Sequence, residues 1–119
     1  MNKGRKITGG KYMKSRKKKI YDLLGQKKNV KLGEDKRKAK RARGGKLKFF
    51  LLKAKMVNLQ SGGKSKNVEI KNVLETPSNR FLARQNIITK GTIVQTDLGK
   101  VKITNRPTQE GTLNGVLVK

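Results

Sequence analysis

The stretch FFLLKAKMVNLQSGGKSKNVEIKNVLE, residues 49–75, has the pattern of two β-strands joined by a tight turn. Apolar residues occupy the even positions from Phe50 to Met56, with lysines between them. A glycine-rich turn over residues 60–65 follows, and the alternation resumes on one face with Val68, Ile70, Asn72 and Leu74. A period of two is typical of strands with one buried face. We therefore expect these even-numbered residues, and Phe49, to face a core.

Three more strands are predicted downstream, over residues 92–96, 100–103 and 113–118. Residues 76–79 (TPSN) break the second strand, residues 97–100 form a turn and residues 106–111 a loop. Short strands separated by turns, without a long helix, favour a small barrel, whose closure removes exposed sheet edges. The predicted fold is mainly β: a small closed β-barrel body over residues 47–119, with a long, basic, largely irregular N-terminal extension over residues 1–46.

Positive charge dominates the composition and is concentrated in that extension. The chain carries 32 Lys+Arg against 7 Asp+Glu, a formal net charge of +25. Residues 1–48 hold 20 of the cations and 3 of the acids, a net of +17. Blocks of like charge this dense often act as nucleic-acid-binding arms that order on their partner. Residues 35–43 (DKRKAKRAR) allow a short basic helix, which Gly44 and Gly45 would end.

Glycine stands beside cations in three stretches: Thr8-Gly9-Gly10-Lys11, Arg43-Gly44-Gly45-Lys46 and Thr89-Lys90-Gly91. Glycine lets backbone N–H groups approach a phosphate, and the cation supplies charge. Each stretch is equally compatible with a plain turn. Within a chain of this charge, we favour phosphate binding. Arg80, Arg84 and Asn86 flank a short apolar segment, and we favour donors to phosphate or 2′-hydroxyl groups there over a surface turn.

Several classes of function are excluded or disfavoured by the residues present. Cysteine and histidine are absent, which removes disulfides, thiolate metal sites and the commonest general base. The seven acids form no recognisable catalytic pair, and Gly63-Lys64-Ser65 lacks the earlier glycine of a phosphate-binding loop. We predict no enzyme, no cofactor and no metal. The start of the chain has no apolar stretch of a secretory signal, so a cytosolic protein is expected.

Short motifs along nearly the whole chain resemble the small-subunit ribosomal protein eight-e family of archaea and eukaryotes. The most specific is residues 84–91, RQNIITKG. The others, in order, are RKITGGK (5–11), RKKK (16–19), KLGE (31–34), RARGG (41–45), NR (79–80), TDLG (96–99), TNRP (104–107), QEG (109–111) and NGVL (114–117). The short length and the plain β-body are similar to the archaeal form.

The chain departs from the family pattern at a few positions, mostly in one loop. The family usually has Ser at Asn105, Gly at Thr108 and Asp at Glu110, which leaves the geometry of the 106–111 loop open. Residues 26–30 lack an expected proline. The resemblance implies a structural component of the small ribosomal subunit in the cytoplasm, with small-subunit rRNA and neighbouring ribosomal proteins as partners and no membrane or small-molecule substrate.

Charge pattern and resemblance together predict an RNA-binding set. It comprises Arg5, Lys6, Thr8, Gly9, Gly10, Lys11, Arg16, Lys17, Lys18, Lys19, Lys31, Arg37, Lys38, Lys40, Arg41, Arg43, Gly44, Gly45, Lys46, Arg80, Arg84, Asn86, Thr89, Lys90 and Arg106. The alternative is a general nucleic-acid-binding or DNA-compacting protein, which shares the charge but would ordinarily need a groove-reading element. A membrane-active protein would need a broad apolar helix face, for which Tyr21, Leu23 and Leu24 are too few.

Overall fold

A computed structural model describes residues 4–13 and 15–118. It contains nine strands and two short helices in the described residues. The strands are β1 (Val30–Leu32), β2 (Lys36–Arg41), β3 (Leu47–Ala54), β4 (Met56–Ser61), β5 (Lys64–Glu75), β6 (Ile87–Ile88), β7 (Ile93–Thr96), β8 (Gly99–Ile103) and β9 (Asn114–Leu117). The helices are α1 (Arg80–Arg84) and α2 (Pro107–Glu110), and 3-10 turns occur at Ile20–Asp22 and Arg43–Gly45. No helix in the described part of the chain has the length and apolar character to cross a bilayer.

Five strands form a closed barrel in the order β4-β5-β7-β8-β9, which confirms the predicted fold class. Strands β4 and β5 form a hairpin whose turn residues, Gly62 and Gly63, have φ of 55° and 78°. Positive φ at both central residues matches the right-handed strand twist, so glycine is favoured there. Strand β9 closes the barrel because it pairs with β8 on one side and with β4 on the other.

Strands β3, β4 and β5 confirm the strand character of residues 49–75, but not all the predicted faces are buried. The strand breaks at Lys55, so in β4 the odd-numbered Val57 and Leu59 are buried. In β5 the register shifts between Ile70 and Asn72, and Val73 rather than Leu74 faces inward. An extra residue at such an irregularity rotates the strand, which a strict period of two cannot anticipate.

A second sheet, β2-β3-β1-β6, packs beside the barrel. Its buried residues Val30, Leu51, Ala54 and Ile88 belong to the same apolar cluster as the barrel core. Strand β2 pairs with β3 over residues 36–41, so the short basic helix considered for residues 35–43 is wrong. Cross-strand bonding to β3 overrides a helical tendency that is marginal over so few residues.

This second sheet also moves the boundary between extension and body. Strands β1 and β2 pair with β3, so the predicted boundary at residues 46/47 cuts through a sheet. The folded body begins near Val30, which is fully buried. Every described residue before Val30 is exposed, and those residues contain a 3-10 turn and one isolated bridge but no named strand. The irregular basic segment therefore ends at residue 29, seventeen residues before the predicted boundary.

Both short helices have recognisable ends. The Asn79 side chain accepts a hydrogen bond from the Phe81 N–H at 3.0 Å and caps the start of α1. Asn86, with φ of 53°, ends α1 in the left-handed region that asparagine tolerates. The predicted 106–111 loop contains α2, which starts at Pro107 and ends at Gly111 with φ of 70°.

Gly115 lies where the barrel closes, opposite Leu59 of β4 and Ile103 of β8. A Cβ at this position would overlap Cγ1 of Val101 and lie 3.4 Å from Cγ2 of Val57. Neither valine methyl has room to move in a packed core.

We therefore expect Gly115→Ala to lower the free energy of unfolding by about 1–3 kcal/mol, the usual effect of overpacking. Urea denaturation followed by circular dichroism measures it. Gly25→Ala is the matched control, because Gly25 has no positive φ and a methyl group added there would meet no atom within 4 Å. Equal stability of the two variants would contradict this account of barrel closure.

Candidate nucleic-acid interface

A groove of about 850 Å³ lies between the β2–β3 hairpin and α2. Its lining includes the apolar residues Leu47, Phe49 and Phe50, and Thr108, Gln109 and Glu110 from α2. Five cations line it: Lys28, Lys40, Arg41, Arg43 and Lys48. We call this lining the basic groove. It combines one carboxylate with five positive side chains, so an anionic occupant is favoured.

A smaller cavity of about 210 Å³ extends the basic groove. It is lined by Thr89, Lys90 and Arg106, and it shares Lys28 and Thr108 with the groove. The fold therefore brings together predicted residues that are distant in sequence: Lys40, Arg41 and Arg43 from the hairpin, Thr89 and Lys90 from a turn, and Arg106 from the loop before α2.

The cations of the groove are not neutralised within the described residues. The three ion pairs found there are Arg16–Asp22 at 2.9 Å, Lys55–Glu69 at 2.8 Å and Lys71–Asp97 at 2.5 Å, all outside the groove. The hydrogen bond and charge of Glu69 raise the pKa of Lys55, and Asp97 raises the pKa of Lys71 in the same way. Within the described residues, acids thus form ion pairs with two barrel lysines and with Arg16 of the extension. The five cations of the basic groove are in none of these ion pairs.

Strand β2 lies at the edge of its sheet, and all six of its residues are exposed. Two of its lysines stand opposite lysines of β3: Lys36 faces Lys53, and Lys40 faces Lys48. Like charges directly opposite each other destabilise a strand pair. A polyanion between them would remove that repulsion.

The turn that carries Lys90 is held by internal hydrogen bonds. The Thr89 N–H donates to Oγ1 of Thr92 at 3.0 Å, and the Gly91 N–H donates to the Ile103 carbonyl at 2.8 Å. The Gly9 and Gly45 N–H groups likewise donate to the Lys6 and Ala42 carbonyls. Gly9, Gly45 and Gly91 therefore use their N–H groups in internal hydrogen bonds, and phosphate binding by these stretches stays a prediction. Their role is to shape the turns from which cationic side chains project.

Asn105 fixes the loop that leads into α2. Its side-chain amide donates to the Thr112 carbonyl at 2.7 Å and its oxygen accepts from the Asn114 N–H at 3.0 Å. The loop geometry left open by the departure from serine is thus supported by an amide that bonds across the loop to residues 112 and 114. Arg106 and α2 are positioned by this bridge.

Other predicted residues lie outside the basic groove. Arg84 and Asn86 line a separate cavity of about 360 Å³ with Asn72, and Arg80 begins α1. Asn86 also has the structural role of ending α1, which accounts for its residue type without a ligand. Exposed positions beside the groove or on its sheet are occupied by Lys31, Arg37, Lys38, Gly44, Gly45 and Lys46.

The predicted residues of the extension form two local structures. These line neither the basic groove nor the smaller cavity beside it. Residues 5–11 form a small hairpin in which Nη1 of Arg5 donates to the Gly9 carbonyl at 3.1 Å. This hairpin holds Thr8, Gly10 and Lys11. Asp22 pairs with Arg16, as expected of an acid that moderates the surrounding charge. The remaining predicted residues here are exposed: Lys6, Lys17, Lys18 and Lys19.

The predicted set did not include two cations of the basic groove. Lys28 lies two residues before β1, and Lys48 is at the start of β3. Lys48 could have been predicted from the sequence. If residues 36–41 and 47–54 are assumed to pair as a hairpin, Lys48 stands opposite the basic residues of the first strand. Phe49 and Phe50 were expected in the core, but Phe49 is 54% exposed and Phe50 is half-buried. The start of β3 lies beyond the barrel, so its apolar residues line the groove instead.

A family model described as ribosomal protein S8e matches residues 1–118. The chain belongs to the ribosomal protein S8e family. It is 47% identical to small ribosomal subunit protein eS8 of Nanoarchaeum equitans over 97% of this chain and 92% of that protein. The protein of the same name from Sulfurisphaera tokodaii is 42% identical, over 99% and 94%, and that from Methanosarcina barkeri is 36% identical, over 97% and 94%.

These comparisons confirm the resemblance and the archaeal form inferred from the motifs. The chain covers nine-tenths or more of each of these relatives. Among the described residues, no group of three or more acids could hold a metal ion. The family is one of ribosomal proteins, in keeping with a structural rather than a catalytic role.

The opposed Lys40 and Lys48 give a prediction about the free protein. Lys48→Glu turns a repulsive cross-strand pair into an attractive one, so we expect a gain in unfolding free energy of about 0.2–1 kcal/mol at low salt. The gain should shrink in high salt, where the Debye length falls to about 3 Å at 1 M. Urea denaturation at the two salt concentrations measures it.

Lys66→Glu is the control, with the same change in net charge at a position opposite Leu59 rather than a lysine. An equal gain from both variants would show that only the net charge of the protein matters. It would contradict the claim that Lys40 and Lys48 repel each other across the strand pair.

Proposed function

We propose that this S8e chain is a structural component of the small ribosomal subunit that binds small-subunit rRNA, in the cytoplasm and beside other ribosomal proteins. The observation that carries the proposal is the basic groove, in which five cations converge without an acid paired to them in the described residues. Relatives named small ribosomal subunit protein eS8 support it. The proposed activity needs no cofactor and no membrane, and it is not enzymatic.

Two parts of the chain have separate tasks in this proposal. The body from Val30 onward docks on rRNA through the basic groove and sets the orientation of the protein. The residues before Val30 form an arm that threads between RNA segments. The support for the arm is its exposure throughout the described residues and its density of cations.

Affinity in this proposal comes mainly from charge. Cations that neutralise phosphates release the counterions condensed on RNA, so the logarithm of the affinity falls with the logarithm of the salt concentration. The Lys40–Lys48 and Lys36–Lys53 pairs add to this effect, because a phosphate between two opposed lysines also relieves their repulsion.

Salt dependence tests the role of the groove. Log affinity falls as log salt rises. In the double variant Lys40→Gln, Lys48→Gln, the magnitude of that slope should be smaller by about 1.4–1.8, the contribution of two phosphate contacts. The measurement is filter binding to an in-vitro transcript of archaeal small-subunit rRNA. Lys64→Gln, Lys66→Gln is the control, since it removes two charges from the β4–β5 hairpin. Equal slopes for the two double variants would count against the groove.

The same transcript distinguishes the proposal from DNA compaction. We expect the wild-type chain to bind the folded rRNA more tightly than duplex DNA of equal length at matched salt. Shape and 2′-hydroxyl contacts favour RNA, whereas charge alone does not. Equal affinities would favour a general nucleic-acid-binding protein.

The arm gives a prediction for hydrogen exchange. In the free protein, amides of residues 15–29 should exchange far faster than those of β7 and β8, because they are exposed and make few backbone hydrogen bonds. Binding to the rRNA transcript should slow exchange in this segment. Strong protection in the free chain, or none in the complex, would contradict an arm that orders on RNA.

A further inference from the structure

Phe49 presents an exposed aromatic ring to the basic groove. The residue is 54% exposed although it lies inside strand β3. Its Cβ is held against the end of α2, since a Cβ on Gly111 would be 3.1 Å from it. The base of the side chain is thus fixed. The other aromatic residue of the groove, Phe50, has Nζ of Lys28 3.3 Å from the centre of its ring. Phe49 is therefore the ring left available in the groove.

An exposed ring among cations suits an unpaired nucleotide better than a duplex. A duplex keeps its bases stacked inside and offers phosphates and 2′-hydroxyls, which make no use of an aromatic face. A single strand offers both a backbone for the cations and a base face for the ring. The groove volume, about 850 Å³, is within the range of sites that enclose small ligands.

Glu110 gives the groove a means of reading the base. Glu110 lines the groove, yet it is in none of the three ion pairs of the described residues, although five cations share that lining. An ionised carboxylate only accepts hydrogen bonds. The Watson–Crick edge of guanine has two adjacent donors, N1–H and the 2-amino group, which match the two carboxylate oxygens. Adenine, cytosine and uracil each offer one donor group on that edge.

We propose that the basic groove holds an unpaired guanosine of the rRNA, stacked on Phe49, with Glu110 accepting from its Watson–Crick edge and Arg41, Arg43 and Lys48 on the flanking phosphates. This site rests on the proposed function and adds base specificity to it. An acidic peptide is the other anionic occupant to consider. Its carboxylates would be repelled by Glu110 and would have no use for the ring, so RNA is favoured.

The test uses the full chain and labelled oligonucleotides: hexauridine, and the same hexamer with one central guanosine, adenosine or cytidine. Fluorescence anisotropy at one salt concentration gives the affinities. We expect the guanosine hexamer to bind about tenfold more tightly than hexauridine, the usual order of one stacked and hydrogen-bonded base. Phe49→Leu should weaken binding of the guanosine hexamer about tenfold. Glu110→Gln should reduce the preference for guanosine to the level of adenosine.

Two controls separate stacking from folding. Phe49→Leu keeps an apolar side chain against Gly111, and its thermal unfolding is compared with that of the wild type. Phe49→Trp restores a flat ring and should restore guanosine binding. A leucine variant that binds the guanosine hexamer as well as the wild type does would overturn the stacking site. Competition by hexaglutamate that depends on Phe49 would also overturn it, in favour of an acidic peptide.

The rRNA transcript keeps this test distinct from that of the proposed function. If the transcript binds with a steep salt slope but Phe49→Leu and Glu110→Gln leave base preference unchanged, only the guanosine site fails. If the transcript itself does not bind, the proposed function fails, whatever the hexamers show.

Discussion

Strand β3 is the element on which both the fold and the basic groove depend. One of its edges pairs with the cationic strand β2, and its last residues pair with β1 on the other edge. Leu51 and Ala54 anchor it in the apolar cluster shared with the barrel. Its first half lies beyond that cluster, where Phe49 rests against Gly111 at the end of α2. A single strand thus joins the core to the surface that carries the charge.

The burial of one apolar side chain and the repulsion of one opposed lysine pair differ in size. Each fully buried Val, Leu or Ile contributes about 1.5–3 kcal/mol, and the apolar cluster contains thirteen buried residues. Each opposed lysine pair on the exposed edge of the sheet costs at most about 1 kcal/mol. One opposed lysine pair therefore costs less than one buried side chain contributes. The acids that form ion pairs in the described residues lie on the barrel and in the extension, not in the groove.

The departures of this chain from its family fall where the structure can absorb them. Asn105 replaces the usual serine and bridges its loop with two hydrogen bonds. Thr108 and Glu110 lie on α2, which begins at Pro107 and lines the basic groove. The loop that carries these three positions therefore keeps a defined geometry, while the groups it offers to the groove differ from the family pattern.

Local pattern in the sequence was enough to predict the class of fold. Alternating apolar residues and the Gly62-Gly63 turn act over short distances, and the strands and the hairpin predicted from them were confirmed. The resemblance drawn from the short motifs was confirmed by the family match. The inward faces of β4 and β5 and the start of the body depended instead on a strand break, register shifts and the pairing of β1 and β2 with β3. The basic groove and the smaller cavity are assembled from residues 28–30, 40–43, 47–50, 88–90 and 106–110, which only tertiary pairing brings together. Register and long-range pairing are set by the summed packing of the whole chain, so no local pattern could reveal them.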